Sequence, residues 1–507
     1  MPNKIDSNVT GLRYAEETSP AVLPGSPVWY PLEPNSYDNF GGNLTTQART
    51  PISQGRQRQK GNVVDLDAAG GFQNDLTQNG LTRLLQGFFF ADIREKYTTA
   101  PMNSAATVIT GVTGSSETYA AASGLSNFLL NDLLLASGFA VASNNGLKAV
   151  ASSTSGTVVV TEDIADETPP ATAKLEKVGH RFASATVDVT VVGGYPRLSR
   201  ASGTKDFTTF GLLPGEWVYV GGDAAGKRFV NAANGGFSRV RAVAATYIEF
   251  DKTGTTWVAE TGTGLTVQMF FGSVLKNEVG ALIKRRTYQL ERTLGEDGVG
   301  TQSEYLVNAT PNQLTFNIPT ADKVTLDLSF IAGDHEQRTG TQGLKTGTRP
   351  AIVPASAFNT SSDFSRIKLH TVTAGNANPS ALFAFLSDMS LTINNNVNPQ
   401  KAVGVLGAFD VNVGNFEVAA ELEAYFADVA AISAVRANAD VTLDFALVKA
   451  NAGMVWDIPL IALGQGRLDV EQDSAIRLGL SADAAESANN YTLMTCIFSY
   501  LPNAADS

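Results

Sequence analysis

The chain has 507 residues, 43% hydrophobic and only 17% charged, which leaves room for several folded cores and excludes disorder along its whole length. Its 37 Lys and Arg against 49 Asp and Glu give a net charge of -12, so a surface built to grip nucleic acid is excluded as well. One cysteine, Cys496, cannot form an internal disulfide, and its neighbours Tyr491, Leu493, Ile497 and Phe498 mark a buried strand thiol.

The first eleven residues carry no apolar run of signal-peptide type, which points to folding in the cytoplasm without insertion into a membrane. Residues 1–37 are rich in proline and lack a period. They read as an N-terminal arm that orders on assembly, burying Leu12, Tyr14, Val28 and Trp29. Arg56, Arg58 and Lys60 follow at alternate positions, on one face if extended, and with Arg49 suit contact with a neighbouring subunit; a solvated loop would read the same way. Residues 78–90 and 428–439 have helical patterns. Elsewhere short runs of β-branched and aromatic residues, at 156–162, 247–251, 287–293, 323–331, 441–448 and 491–500, are separated by Gly, Asn and Thr, so the chain is mainly β.

Two internal repeats organise this pattern. Gly138-Phe139 through Asn144-Asn145-Gly146-Leu147 to Val158-Val159-Val160-Thr161 recurs 90 residues later as Arg228-Phe229 through Asn234-Gly235-Gly236-Phe237 to Ile248-Glu249-Phe250-Asp251. This sets two small inserted β modules at 103–183 and 184–272. A looser repeat encloses them. Asn43-Leu44-Thr45, Gly70-Gly71-Phe72 and the run from Thr315 to Pro319 echo Ser390-Leu391-Thr392, Gly414-Asn415-Phe416 and the run from Val455 to Pro459; Val324 to Ile331 echoes Tyr491 to Phe498. The rest of the chain then divides into a discontinuous first domain, 38–99 with 273–334, and a second at 364–507, joined by a linker or inter-ring loop at 339–363. One large irregular β protein with chance similarities is the alternative.

From Phe416 to Phe426 apolar residues alternate strictly with Glu417, Ala419, Glu421, Glu423 and Tyr425. A helix would also gather Val418, Leu422 and Phe426, but eleven residues of alternation favour a half-buried strand with the three glutamates on its solvent side. Residues 364–507 hold 7 Lys and Arg against 15 Asp and Glu, so -8 of the charge lies in the second domain.

Motifs for chemistry fail one by one. Gly221 to Lys227 has phosphate-loop spacing, yet Arg228 stands where a hydroxyl would hold magnesium and no helix follows. Asp65 and Asp67 begin a calcium-loop spacing that Ala69 and Leu76 break. His180, His335 and His370 are far apart and read as surface or turn residues. Nothing calls for a catalytic residue, a metal or a cofactor.

Thr10 to Glu17, Pro24 to Glu33, the turn Arg58-Gln59-Lys60-Gly61, Val403 to Gly407 through Glu423 to Phe426, and the closing Tyr500-Leu501-Pro502 resemble the tail tube, or major tail, proteins of long-tailed, non-contractile bacteriophages. The resemblance spans roughly the first 95 and last 230 residues. It implies two tandem tail-tube β-sandwich or barrel domains, each with a flanking helix, whose inner strands join those of neighbours in a continuous barrel. It implies a structural virion protein rather than an enzyme, assembled in the host cytoplasm into stacked rings that conduct DNA during ejection. Relatives with two fused domains form trimeric rings that imitate a hexamer, with a tape-measure protein and tail terminator and distal tail proteins as partners. Glu417, Glu421 and Glu423 would then face the lumen, where DNA passes without sticking, and the inserted modules would decorate the exterior and be removable. A β-rich glycan-binding or glycan-cleaving protein, or a capsid-decorating protein, fits the same composition.

Overall fold

The computed structural model describes residues 5, 9–52, 54–55, 57–78, 81–296, 300–383 and 385–506. The first half of the chain contains β1 (Gly11–Glu16), β2 (Pro34–Ala48), β3 (Gly61–Asp75) and α1 (Thr82–Phe89), then, beyond the inserted modules, β4 (Tyr288–Glu296), β5 (Thr301–Pro319) and β6 (Thr325–Ala332). The second half contains β7 (Phe364–Thr371), β8 (Leu386–Asn394), β9 (Glu417–Tyr425), α2 (Ala430–Arg436), β10 (Val441–Lys449), β11 (Ala452–Asp469), β12 (Arg477–Ala484) and β13 (Met494–Phe498).

Both halves pair their strands in the same order. The first runs β2-β3-β6-β5 and the second β8-β9-β12-β11, and β5 joins β8 antiparallel to make one inner sheet of eight strands. The long strands β5 and β11 each leave this sheet for an outer layer. There β5 pairs with β4 and Asp334–Arg338, and β11 with β10 and β13, while β1 and β7 add the next strand outward. Pro311 and Pro459 sit close to the crossings, where pairing shifts register and a missing N–H is tolerated.

This pairing corrects the register of the enclosing repeat. The counterpart of β6 is β12 rather than the strand at 494–498, and the counterpart of Pro459 is Pro311 rather than Pro319. Inner and outer strands share one alternation, so residue type alone does not tell them apart.

The layers enclose one apolar core. Into it α1 sends Leu84, Leu85, Phe88 and Phe89; Phe88 meets Phe330 edge-on at 5.4 Å and Phe89 reaches Trp456 of β11 at 6.2 Å, so this helix ties the two halves together. Gly87 permits the approach, because a Cβ there would stand 2.5 Å from the Tyr288 hydroxyl.

The inserted residues form a second sheet of 13 strands, continuous where Gly179 pairs with Phe270. It covers two cores, one around Tyr119, Phe128 and Leu175 and the other around Phe182, Phe210 and Trp257. The 90-residue repeat reappears as hydrogen bonding. Asn144 donates to Glu167 at 2.7 Å, and that carboxylate accepts the Ala140 and Val141 amides. Asn234 donates to Glu260 at 2.7 Å, and that carboxylate accepts the Val230 and Asn231 amides.

The modules are not detachable. Trp217, Tyr219, Phe237 and Phe270 share a buried cluster with Ala446, Val455, Cys496 and Phe498 of β10, β11 and β13. Beside it Asp457 of β11, fully buried, pairs with Lys252 and with Arg239 Nη1 at 3.1 Å, both from the second module, and accepts the Tyr491 hydroxyl at 2.9 Å. Burial pushes the Asp457 carboxyl up, but the Lys252 and Arg239 charges outweigh it and hold the group below the usual carboxylate range. Removing residues 103–272 would take away both cations, leave the Asp457 carboxylate buried without them and bare an apolar face, which argues against removable decoration.

The histidine expectation is corrected too. His180 and His370 are buried on strands, His180 Nδ1 lying 3.1 Å from Asp132, and His335 stands on a strand with Nε2 2.9 Å from Glu304. Cys496 is buried as expected, and burial pushes its thiol up to about 12.

Asp457→Ala takes from buried Lys252 its nearest carboxylate, leaving it Asp444 at 3.9 Å, while Arg239 keeps Asp251, and it is expected to cost about 3 kcal/mol in chemical denaturation. The Asp457 contribution should be complete above the unfolded carboxylate pKa of about 4 and be lost as pH falls from there through the depressed folded value. Asp457→Asn should therefore flatten the acid limb of the stability profile, and a 103–272 deletion should be insoluble.

Candidate assembly surface

The inner sheet has two unlike faces. Toward the core, Phe72, Leu328, Leu314, Ile393 and Val418 lie side by side across neighbouring strands. On the other face Asp75, Thr325, Asn317, Ser390, Glu421, Ser481 and Gly464 form the matching row. Its carboxylates include Asp38, Asp65, Asp67, Asp75, Asp327, Asp388, Glu417, Glu421, Glu423, Asp469 and Asp483; its strands carry the cations Arg467 and Arg477, and Lys323 and Lys401 reach it to pair with Asp75 and with Asp65 and Asp67.

β9 is a strand, and Glu417, Glu421 and Glu423 do share its polar side. Glu417 and Glu421 have no hydrogen bond or ion pair among the described residues. Glu423 differs, lying 2.8 Å from Arg477 Nη1, so one of the three glutamates is paired with a cation. The expectation also missed the rest of the face. Asp327 accepts amides from Gln73 at 3.0 Å and Asn317 at 2.7 Å, and Thr315 meets Thr392 at 3.1 Å. The signal that marks these positions is the polar alternation of β6 and β8, as strict as that of β9.

Among the described residues two strand edges of this sheet are unpaired: β2, which bonds only β3, and the 462–469 portion of β11, which bonds only β12. The two ends of the sheet differ as well. At one end the β2–β3 hairpin projects, exposing Leu44, Ile52, Val63 and Val64 beside Arg49, Arg58 and Lys60, and a smaller hairpin, Asn398–Lys401 with Ala408–Asn412, exposes Val403, Leu406 and Phe409. Arg56 lies outside the described residues. At the other end Phe385, Val429, Val470 and Ile476 are exposed among Asp428, Asp469, Glu471 and Asp473.

The N-terminal residues expected at a subunit contact lie elsewhere. Leu12 and Tyr14 alternate inward on β1, and Trp29 is fully buried, donating Nε1–H to the Thr346 carbonyl at 3.0 Å and meeting Tyr305 at 5.6 Å. Val28, half-buried, bridges to Thr348. Segments 17–33 and 339–363 therefore pack on their own outer layer and on each other. A proline-rich segment has few internal partners but can still bury apolar side chains against distant strands.

Among the described residues no His, Cys, Asp and Glu group is arranged to hold a metal, and no helix is long and apolar enough to cross a membrane. Asp65 and Asp67 hold Lys401 of the smaller hairpin, at 2.6 Å for Asp67.

Open sheet edges, unlike ends and one polar sheet face define the class, a β-rich protein with no catalytic or metal centre among the described residues. The chain matches the family described as phage tail tube protein over residues 7–485, and it belongs to that family. It is thus a structural component of the virion tail that self-assembles into a tube. A search of curated proteins finds no match.

Lys401→Ala should leave the denaturation midpoint in place, since this is a surface tie, while quickening amide exchange over residues 62–68 and 398–412.

Proposed function

We propose that three chains close head to tail into a pseudo-hexameric ring, that rings stack into the tail tube, and that the polar sheet face lines the lumen through which DNA leaves the virion. The β5–β8 junction carries this reading. β11 is the second half's β5 and β2 is the first half's β8, so the two free edges of the chain are the two partners of a junction it already makes once internally. Repeating that junction between chains uses both edges, and a closed ring has none left. Three chains supply 24 inner strands, more than the roughly 16–18 at which barrels already leave an aqueous channel.

The polar face faces inward because the outer layer is covered: the modules occupy β10, β11 and β13. Binding to a duplex is driven by Lys and Arg displacing condensed counterions, and a face with Arg467 and Arg477 among many carboxylates offers little of that gain. Glu417, Glu421 and Glu423, with Asp327 and Asp388, repel phosphate within a Debye length of about 8 Å at physiological salt, so DNA passes without adhering. A tape-measure protein fills the same lumen before DNA, and terminator and distal tail proteins close the two unlike ends.

Stacking follows from those ends. One is apolar and basic, the other apolar and acidic, which suits a heterologous contact that repeats along an axis.

Electron microscopy should show three chains per ring, and six would sink the pseudo-hexamer. Replacing Arg49, Arg58 and Lys60 with Glu should halt assembly at single rings, and adding Lys at Asp469, Glu471 and Asp473 should restore tubes; tubes indifferent to both changes would rule out this stacking. Glu417→Lys with Glu421→Lys should leave tubes intact but slow genome ejection. Unchanged ejection would place the lumenal charge elsewhere.

A further inference from the structure

Between the second inserted module and β7 lies a cleft of about 740 Å³ that tube building does not use. Residues 219–222, 228–232, 234–237, 254–255 and 365–368 line it, with 504–505 at one side. In a chain of net charge -12, this lining holds three cations, Arg228, Arg366 and Lys368, and no carboxylate among the described residues.

The cations are short of acceptors. Arg228 is exposed and has no hydrogen bond or ion pair among the described residues. Arg366 is held by Asp444 through Nε and lies over the Trp217 ring at 5.2 Å, so it lends the cleft its charge rather than a free donor. Lys368 donates to a neutral group, Asn378 Oδ1, at 2.6 Å. Burial, with the Arg366 charge second, holds its ammonium down to about 8 against the opposing pull of Asp444.

The walls leave space for a ligand. Gly221 and Gly222, from the run with phosphate-loop spacing, bring bare main chain to one side. Gly254 does so beside the guanidinium, where a Cβ would stand 3.4 Å from Arg366 Nη1. Buried Tyr219 and Phe237 add aromatic surface. The volume falls in the ~300–1,000 Å³ range of small-molecule sites and exceeds what one bare anion fills.

We propose that this cleft binds an oxyanion, phosphate or carboxylate, carried on a sugar-sized polar body, with Arg228 and Lys368 supplying the charge that holds it. Such a group is borne both by free sugar phosphates or sugar acids and by the units of an acidic glycan. Calorimetric titration of the purified full chain at constant ionic strength tests it, using glucose 6-phosphate, glucuronate, an oligosaccharide of glucuronate units, inorganic phosphate and glucose. The charged sugars should bind and glucose should not. Arg228→Ala, at an exposed position, and Lys368→Met should each weaken binding tenfold or more. Tighter binding of the oligosaccharide than of glucuronate would support the site and assign it to a glycan, and the reverse would support it and assign it to the free sugar anion. Inorganic phosphate binding as tightly as glucose 6-phosphate would overturn the sugar-sized body. No binding of any anion, or binding unmoved by Arg228→Ala, would overturn the site.

Discussion

Main-chain pairing between β5 and β8, from Gln313 opposite Asn394 to Pro319 opposite Asp388, is the constraint from which the architecture follows. A buried strand must have its N–H and C=O groups satisfied on both sides, and this ladder spends the last strand of the first half on the first strand of the second. It also sets the faces. Its parity turns Leu314, Phe316, Leu391 and Ile393 to the core and Thr315, Asn317, Ser390 and Thr392 outward, and a slip of one residue would exchange the two sets. Two tandem halves become one sheet with one apolar side and two edges.

The outer layer is held by a different force. The second module meets β10, β11 and β13 through aromatic burial and through Lys252 and Arg239 converging on Asp457. Buried ion pairs add little net stability compared with apolar packing, because desolvation offsets attraction, but a mismatched docking would leave Asp457 and Lys252 without each other at high cost, while Arg239 keeps Asp251. Charge here selects one seat for the module, while the apolar cluster supplies the adhesion. The repeated Asn–Glu arrangements, Asn144 with Glu167 and Asn234 with Glu260, act on a smaller scale, holding a loop in each module by satisfying amides that no strand reaches.

Features written in local pattern were legible in the sequence. The β9 alternation, the helices at α1 and α2, the β class and the 90-residue repeat each depend on residues within one element or on a fixed offset. Features that depend on partners far along the chain were not. Trp29 is buried by Thr346 and Tyr305, and Leu12 and Tyr14 by β1 pairing with β4; nothing within residues 1–37 announces either partner. Arg239 and Asp457 are likewise joined only by the fold. The acidic character of the sheet face was half legible: Glu417, Glu421 and Glu423 stood out by charge density, whereas Asp327 and Asp388 sit singly among Ser and Thr and become a surface only when the strands are laid side by side.

The two halves share strand order but not projections. The first carries a hairpin of two 15-residue strands, the second a hairpin of 4 and 5 residues. In a ring of such chains long and short projections alternate, so the ring maps onto itself after a third of a turn but not after a sixth. In the proposed three-chain rings, successive rings would then mesh like keyed couplings with three seats rather than six. Fusion of the halves would thereby give the tube a rotational phase, and a twist imposed at one end would have to be carried ring by ring to the other.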